Sequence, residues 1–233
     1  MFSTWSPPKT APPPAKRTKI IHNATTATNV TKPGALKRMF ESGDWSDLTI
    51  KTKDSGKTFA VHKTVLCPAW EFARAACTSG FIESKTNVIE LPEDERVITA
   101  ILRYYYELPF EVSKSETLSI LVKLRVAIDK YGIDGLIRNV EHAFKARLEA
   151  ETYPNLVVIG ATVFAEAGDC MIPMQNAIAA ATRGKMSEIV RDMNVWSQMQ
   201  ESPEFLRRTL LEILPPPPVV LSDSSSDTDS SDE

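Results

Sequence analysis

Histidine and glycine are scarce in this chain of 233 residues, and their scarcity excludes most of the familiar enzyme motifs. The three histidines are His22, His62 and His142, and no two of them have the H-x-x-x-H spacing of a zinc site. None of the nine glycines belongs to a phosphate-binding G-x-x-x-x-G-K-[ST] loop or to a G-x-S-x-G nucleophile turn. We therefore predict a protein that is not an enzyme and that uses no cofactor and no metal.

Cysteine and long apolar runs are also in short supply. The three cysteines, Cys67, Cys77 and Cys170, cannot all pair and form no C-x-x-C, so we expect buried small apolar residues in a reducing compartment. No apolar run approaches the roughly 20 residues of a membrane helix, and the first residues lack the apolar core of a signal peptide. These absences predict a location in the nucleus and/or cytoplasm, without a membrane partner.

Acids are missing from one end of the sequence and bases from the other. Residues 1–40 carry seven Lys or Arg and no acid, whereas residues 215–233 carry five acids and no base. The residues between them hold 20 bases and 25 acids, so they offer no positive stripe for a nucleic acid. We expect protein partners and no nucleic-acid partner.

Residues 1–33 are rich in proline and threonine and hold little that could form a core, so we predict a disordered basic arm. Within it, Lys16, Arg17 and Lys19 fit the pattern K-[KR]-x-[KR] of a nuclear localisation signal. The alternative is a basic segment that is merely solvated.

Residues 215–233 form a predicted disordered acidic tail that begins with four prolines. The run Pro218, Val219, Val220 and Leu221 resembles a SUMO-interaction motif, in which an apolar core adds to a sheet edge and acids follow it. Such acids would meet a basic patch on the partner. The alternative is a tail that only aids solubility.

Three serines of this tail are phosphorylation candidates because each has an acid three residues later, as acidophilic casein-type kinases prefer. Each phosphate would add about −1.5 to −2 charges to the flank of the apolar run. The candidates are Ser224, Ser226 and Ser230.

The middle of the chain predicts an α+β fold. Leu36, Met39 and Phe40 share one face of a short helix that stops at Ser42-Gly43. Residues 48–53 alternate apolar and polar side chains, and a turn over 54–57 leads to a second strand over 58–61. A third strand is predicted over 88–91.

Helices account for the other predicted elements. One begins at His62-Lys63 and should end at Cys67-Pro68, because proline lacks the N–H that continues a helix. Others are predicted over 70–77, 92–106, 115–131, where Ser113 and Glu116 form a capping box, and 135–151. Three or four further helices are expected between residues 153 and 214.

These pieces resemble the BTB/POZ domain in its short fungal form. The resemblance lies in Gly43–Tyr106, above all in Phe59-Ala60-Val61-His62-Lys63, which fits F-x-V-H-[KR], and in Gly80-Phe81-Ile82-Glu83. It implies a small three-stranded sheet flanked by helices over residues 34–150 and an all-α extension over 151–214. It also implies that His62 is an internal hydrogen-bonding residue.

The resemblance implies two binding surfaces. Leu36, Met39 and Phe40 would enter a homodimer interface, the alternative being packing on their own domain. Phe81, Ile82 and Glu83 occupy the position at which cullin-recruiting relatives carry an apolar anchor, any residue and then a glutamate, the alternative being a structural role. Trp70 replaces the usual serine of the family pattern C-P-x-S-x-F-F, and we expect it near the cullin-binding candidate.

Our leading interpretation is a non-enzymatic interaction protein, a nuclear scaffold or adaptor that acts through a BTB domain and the SUMO-interaction-like tail. The alternative is a substrate adaptor of a cullin-based ubiquitin ligase. The arm and the tail favour the scaffold, whereas Phe81-Ile82-Glu83 favours the ligase adaptor.

Overall fold

The computed structural model describes residues 34–78, 80–110, 118–166 and 168–214 of the chain. From Ala35 onward the described residues belong to one compact unit. No helix in the described ranges is long and apolar enough to cross a membrane.

A three-stranded sheet lies in the first part of this unit. Its strands are β1 (Leu48–Thr52), β2 (Thr58–Val61) and β3 (Val88–Leu91). The central strand, β1, pairs antiparallel with β2 and parallel with β3. The predicted alternation holds in β1, where Leu48 and Ile50 are buried while the residues between them are half-buried. The predicted α+β fold with a small three-stranded sheet is confirmed.

Five helices accompany the sheet in the described residues up to Tyr105. They are α1 (Ala35–Ser42), α2 (Lys63–Ala69), α3 (Glu71–Thr78), α4 (Ile82–Thr86) and α5 (Glu95–Tyr105). The predicted end of α2 at Cys67-Pro68 is wrong, because Pro68 lies inside the helix. Proline in a last turn removes a single N–H, and the N–H of Trp70, two residues later, still donates to the Leu66 carbonyl at 2.7 Å. The short helix α4 was not predicted.

The remaining helices follow after residue 117. They are α6 (Leu118–Tyr131), α7 (Asp134–Leu148), α8 (Tyr153–Ala165), α9 (Ile172–Arg183), α10 (Met186–Arg191), α11 (Met193–Gln200) and α12 (Pro203–Leu211), with a 3₁₀ turn over Asp169–Met171. The described part of 153–214 thus holds five α-helices where three or four were expected. The additional boundary, between α10 and α11, falls at Asp192. Its carboxylate caps α11 by accepting hydrogen bonds from the backbone N–H groups of Asn194 and Val195. The predicted capping box, Ser113 and Glu116, lies outside the described residues.

One hydrophobic core runs through the sheet, α5, α6 and α7 into the helices that follow. In that later part, α8 and α12 approach closely at Gly160, where a Cβ would overlap the ring of the fully buried Phe205. Glycine is therefore required by packing at this position, although it lies inside a helix.

The cysteines differ from the prediction, since all three are half-buried rather than buried. They remain free thiols. Burial and the neighbouring Cys77 raise the pKa of Cys67 to about 11, so the reactive thiolate is rare near neutral pH.

Candidate interaction surface

His62 lies at the junction of β2 and α2 and is almost fully buried, with 2% of its surface exposed. Its Nε2 lies 2.7 Å from the backbone carbonyl of Asp44, which can only accept, so Nε2–H is the donor. In the neutral ring Nδ1 is then an acceptor. It accepts a hydrogen bond from the Tyr106 hydroxyl at 2.7 Å. The Tyr106 oxygen also accepts the backbone N–H of His62 at 3.0 Å.

This network joins separate elements of the fold. It connects the β2–α2 junction to the turn before β1 and to the end of α5, and the ring of Phe40 on α1 packs 5.1 Å from that of Tyr106. Both ring nitrogens of His62 are occupied, and the described residues contain no cluster of His, Cys, Asp and Glu that could hold a metal. The geometry supports the internal hydrogen-bonding role that the resemblance implies.

A second cluster, of aromatic rings, lies between α3, α5 and α6. Trp70 stacks on Tyr105 at 5.1 Å and meets the edge of Tyr131 at 5.8 Å. The Tyr131 hydroxyl donates to Glu93 at 2.6 Å, and burial together with this carboxylate raises the Tyr131 pKa above its usual range. Trp70 is 1% exposed, so the expectation that it adds an apolar group to the cullin-binding candidate is wrong. Its large ring fills the core.

The corner between α3 and α4 presents two large apolar side chains to solvent. Phe81 is 67% exposed and Ile82 is 66% exposed, whereas Glu83 is half-buried. A local hydrogen bond lies beneath them, in which the Phe81 carbonyl accepts the hydroxyl of Ser84 at 2.7 Å. Asn87 ends α4 in a left-handed conformation, and its side chain accepts from Lys63 at 2.6 Å. We call Phe81 and Ile82 the α4 corner.

The apolar face of α1 lies against its own domain. Leu36, Met39 and Phe40 are half-buried there and pack on the hydrophobic core. Beside them Trp45 is 86% exposed and adopts a left-handed backbone conformation with φ of 60°. The sequence did not single out Trp45, because nothing in Gly43-Asp44-Trp45 distinguishes an exposed tryptophan from a buried one.

The other predicted sites fall outside the described residues. These are the nuclear-localisation candidates Lys16, Arg17 and Lys19, the SUMO-interaction candidates Pro218, Val219, Val220 and Leu221, and the phosphorylation candidates Ser224, Ser226 and Ser230.

The β2-β1-β3 sheet, its flanking helices and the exposed apolar corner define a small α+β interaction domain. Residues 36–148 match the family model of the BTB/POZ domain, and this part of the chain is accordingly a BTB/POZ domain. BTB/POZ domains are protein–protein interaction modules, generally without enzyme activity. No curated protein matches the chain.

The Tyr106→Phe substitution tests the buried network. It leaves both Nδ1 and the backbone N–H of His62 without their partner in the interior, so we expect the free energy of unfolding to fall by about 1–3 kcal/mol. Urea denaturation of the full chain, followed by circular dichroism, measures this loss.

Tyr105→Phe is the matched control, because the neighbouring Tyr105 ring is also buried while its hydroxyl bonds to no described residue. We expect a change within about 0.5 kcal/mol for this variant. Equal losses for the two variants would show that the His62–Tyr106 bonds contribute nothing specific.

Proposed function

We propose that this BTB/POZ protein is a non-enzymatic adaptor that docks the scaffold subunit of a cullin-based ubiquitin ligase through the α4 corner. The observation that carries the proposal is the exposure of Phe81 and Ile82, each about two-thirds open to solvent. Adjacent exposed side chains of this size favour a partner that covers them.

The energy available at this corner suits a binding hot spot. Fully burying one large apolar side chain contributes about 1.5–3 kcal/mol, and two neighbours that enter one groove act as a common anchor. Glu83 follows them directly, so an acid at the edge of the apolar contact can meet a basic group of the partner. A client protein would then be held by α8–α12 or by the segments outside the described residues.

A double substitution of the corner tests this function. Phe81→Ala with Ile82→Ala removes the apolar anchor, so we expect binding to the purified amino-terminal region of a cullin to weaken at least about thirty-fold. Titration calorimetry with the full chain measures the dissociation constant.

The matched control is Val190→Ala with Met193→Ala, whose side chains are 49% and 69% exposed on α10 and α11. This control should bind the cullin as the unmodified chain does. An unmodified chain that shows no cullin binding, or a corner variant that binds equally well, would exclude the adaptor function.

A second candidate function is a nuclear scaffold that self-associates and recruits SUMO-modified proteins. The sequence Pro218-Val219-Val220-Leu221 with its acidic flank supports recruitment, and Lys16, Arg17 and Lys19 support entry to the nucleus. Self-association would use the exposed Trp45 and the outer parts of Leu36, Met39 and Phe40.

The scaffold requires two properties in one molecule, and both can be measured. Sedimentation of the full chain should give a dimer mass that Trp45→Ser lowers, because the largest exposed apolar surface beside α1 is then lost.

The triple substitution Val219→Ala, Val220→Ala and Leu221→Ala should abolish retention on immobilised SUMO without changing the dimer mass. A monomer at all concentrations, or SUMO retention that survives the triple substitution, would reject the scaffold.

A further inference from the structure

A long groove runs between α7 and α9. Its volume is about 1300 Å³, and it extends along α7 from Arg138 to Leu148 and along α9 from Pro173 to Ala181. Glu149 and Lys185 line it just beyond the ends of these helices. This volume exceeds the ~300–1,000 Å³ of ordinary small-molecule pockets. At a helical rise of about 1.5 Å per residue, the α9 wall from Pro173 to Ala181 is about 12 Å long, which suits a peptide of about three or four extended residues.

The groove exists because the facing helices carry small side chains. Ala143, Ala146, Ala177, Ala180 and Ala181 all line it, and alanine has no atoms beyond Cβ to fill the space between helices. Larger apolar residues, among them Leu148, Leu156 and Met174, also line it and are buried. The alanines, which are exposed or half-buried, therefore offer apolar surface to an occupant.

The rim of the groove carries an excess of positive charge. Arg138, Lys145 and Lys185 line it as exposed residues, and no described acid lies within ion-pair distance of them. Two acids line the groove. Glu141 forms an ion pair with Arg125 at 3.3 Å, and Glu149 forms no ion pair with a described residue. An occupant with apolar residues and several acids would complement this surface.

The described chain ends beside this groove. The side chain of Arg183, two residues before the lining residue Lys185, donates to the carbonyl of Glu212 at 3.2 Å. On α12, Arg208 donates to Asn176, another lining residue, at 2.6 Å. The described chain therefore ends, at residue 214, close to residues that line the groove.

We propose that the groove binds this chain's own acidic segment, with Val219, Val220 and Leu221 on its apolar surface and the following acids at its basic rim. The 19 residues of 215–233 can span more than about 60 Å when extended, so reach does not limit docking. The segment carries five acids and no base, and its apolar run of three residues fits within the groove length. Docking would withhold the same run from other partners until a competitor displaces it.

Phosphorylation would strengthen the contact rather than release it. Ser224 and Ser226 stand three and five residues after Leu221, so phosphates there would add negative charge near the basic rim. Stronger binding after phosphorylation would distinguish docking at the basic rim from binding by apolar contact alone. Added negative charge has little effect on purely apolar contact.

A fluorescent peptide of residues 215–233 tests the proposal by competition with the chain's own segment. Full chains carrying Val219→Asp, Val220→Asp and Leu221→Asp have an emptied groove, so they should bind the peptide at least about ten-fold more tightly than unmodified chains. Fluorescence anisotropy at low salt measures both affinities. A peptide phosphorylated at Ser224 and Ser226 should bind the emptied chain more tightly still.

Charge reversal locates the binding. Adding Lys145→Glu and Lys185→Glu to the emptied chain should abolish peptide binding, whereas the matched reversals Lys53→Glu and Lys57→Glu at the β1–β2 turn should not. Circular dichroism checks that all variants fold. Any of three results would overturn the proposal. The unmodified and emptied chains could bind the peptide equally well, neither could bind it, or binding could depend instead on the exposed Leu210 and Leu211 of α12.

Discussion

The burial of α6 on nearly all sides is the constraint on which the rest of the structure depends. Its buried residues extend from Leu118 to Tyr131 around most of the helix, so it needs partners in every direction. It packs on α5 and α7 and contacts α8 and the 3₁₀ turn. The buried Arg125 within it is compensated by Glu141 at 3.3 Å and Asp129 at 3.9 Å. The sheet and the later helices are thereby joined through one core.

The shared core underlies the surfaces that the described residues expose. Residues of the BTB/POZ domain present Phe81, Ile82 and Trp45 to solvent. The α7–α9 groove adds a surface of another kind, in which small apolar residues lie under a basic rim. A rigid scaffold that holds apolar anchors in place lowers the entropic cost of binding a partner.

The sequence predicted best those elements whose signal is local. The alternation in β1, the helical face of α1 and the F-x-V-H-[KR] position of His62 each depend on neighbouring residues, and each appears in the structure as expected. The continuation of α2 through Pro68 was not predictable in this way, since it depends on which single hydrogen bond the last turn can lose.

Burial and surfaces were harder to predict because they depend on contacts between distant residues. Trp70 and Trp45 are the same residue type, yet tertiary packing buries one and exposes the other. The α7–α9 groove combines alanines and basic residues from segments about 35 residues apart, and neither segment alone indicates a cleft. The break at Asp192 falls inside a continuous helical pattern, where only the capping geometry reveals it.

One shared core stabilises both the sheet and α8–α12. Amide hydrogen exchange of the Gly160→Ala variant tests this most directly. The added methyl group overlaps Phe205, far from the sheet, whereas Gly184→Ala meets its nearest neighbour at an ordinary 3.5 Å and serves as the control. With a shared core, Gly160→Ala should speed amide exchange in β1 and β3 as well as in α8 and α12, and Gly184→Ala should leave both unchanged. Faster exchange confined to α8–α12, with the sheet as protected as before, would contradict the claim.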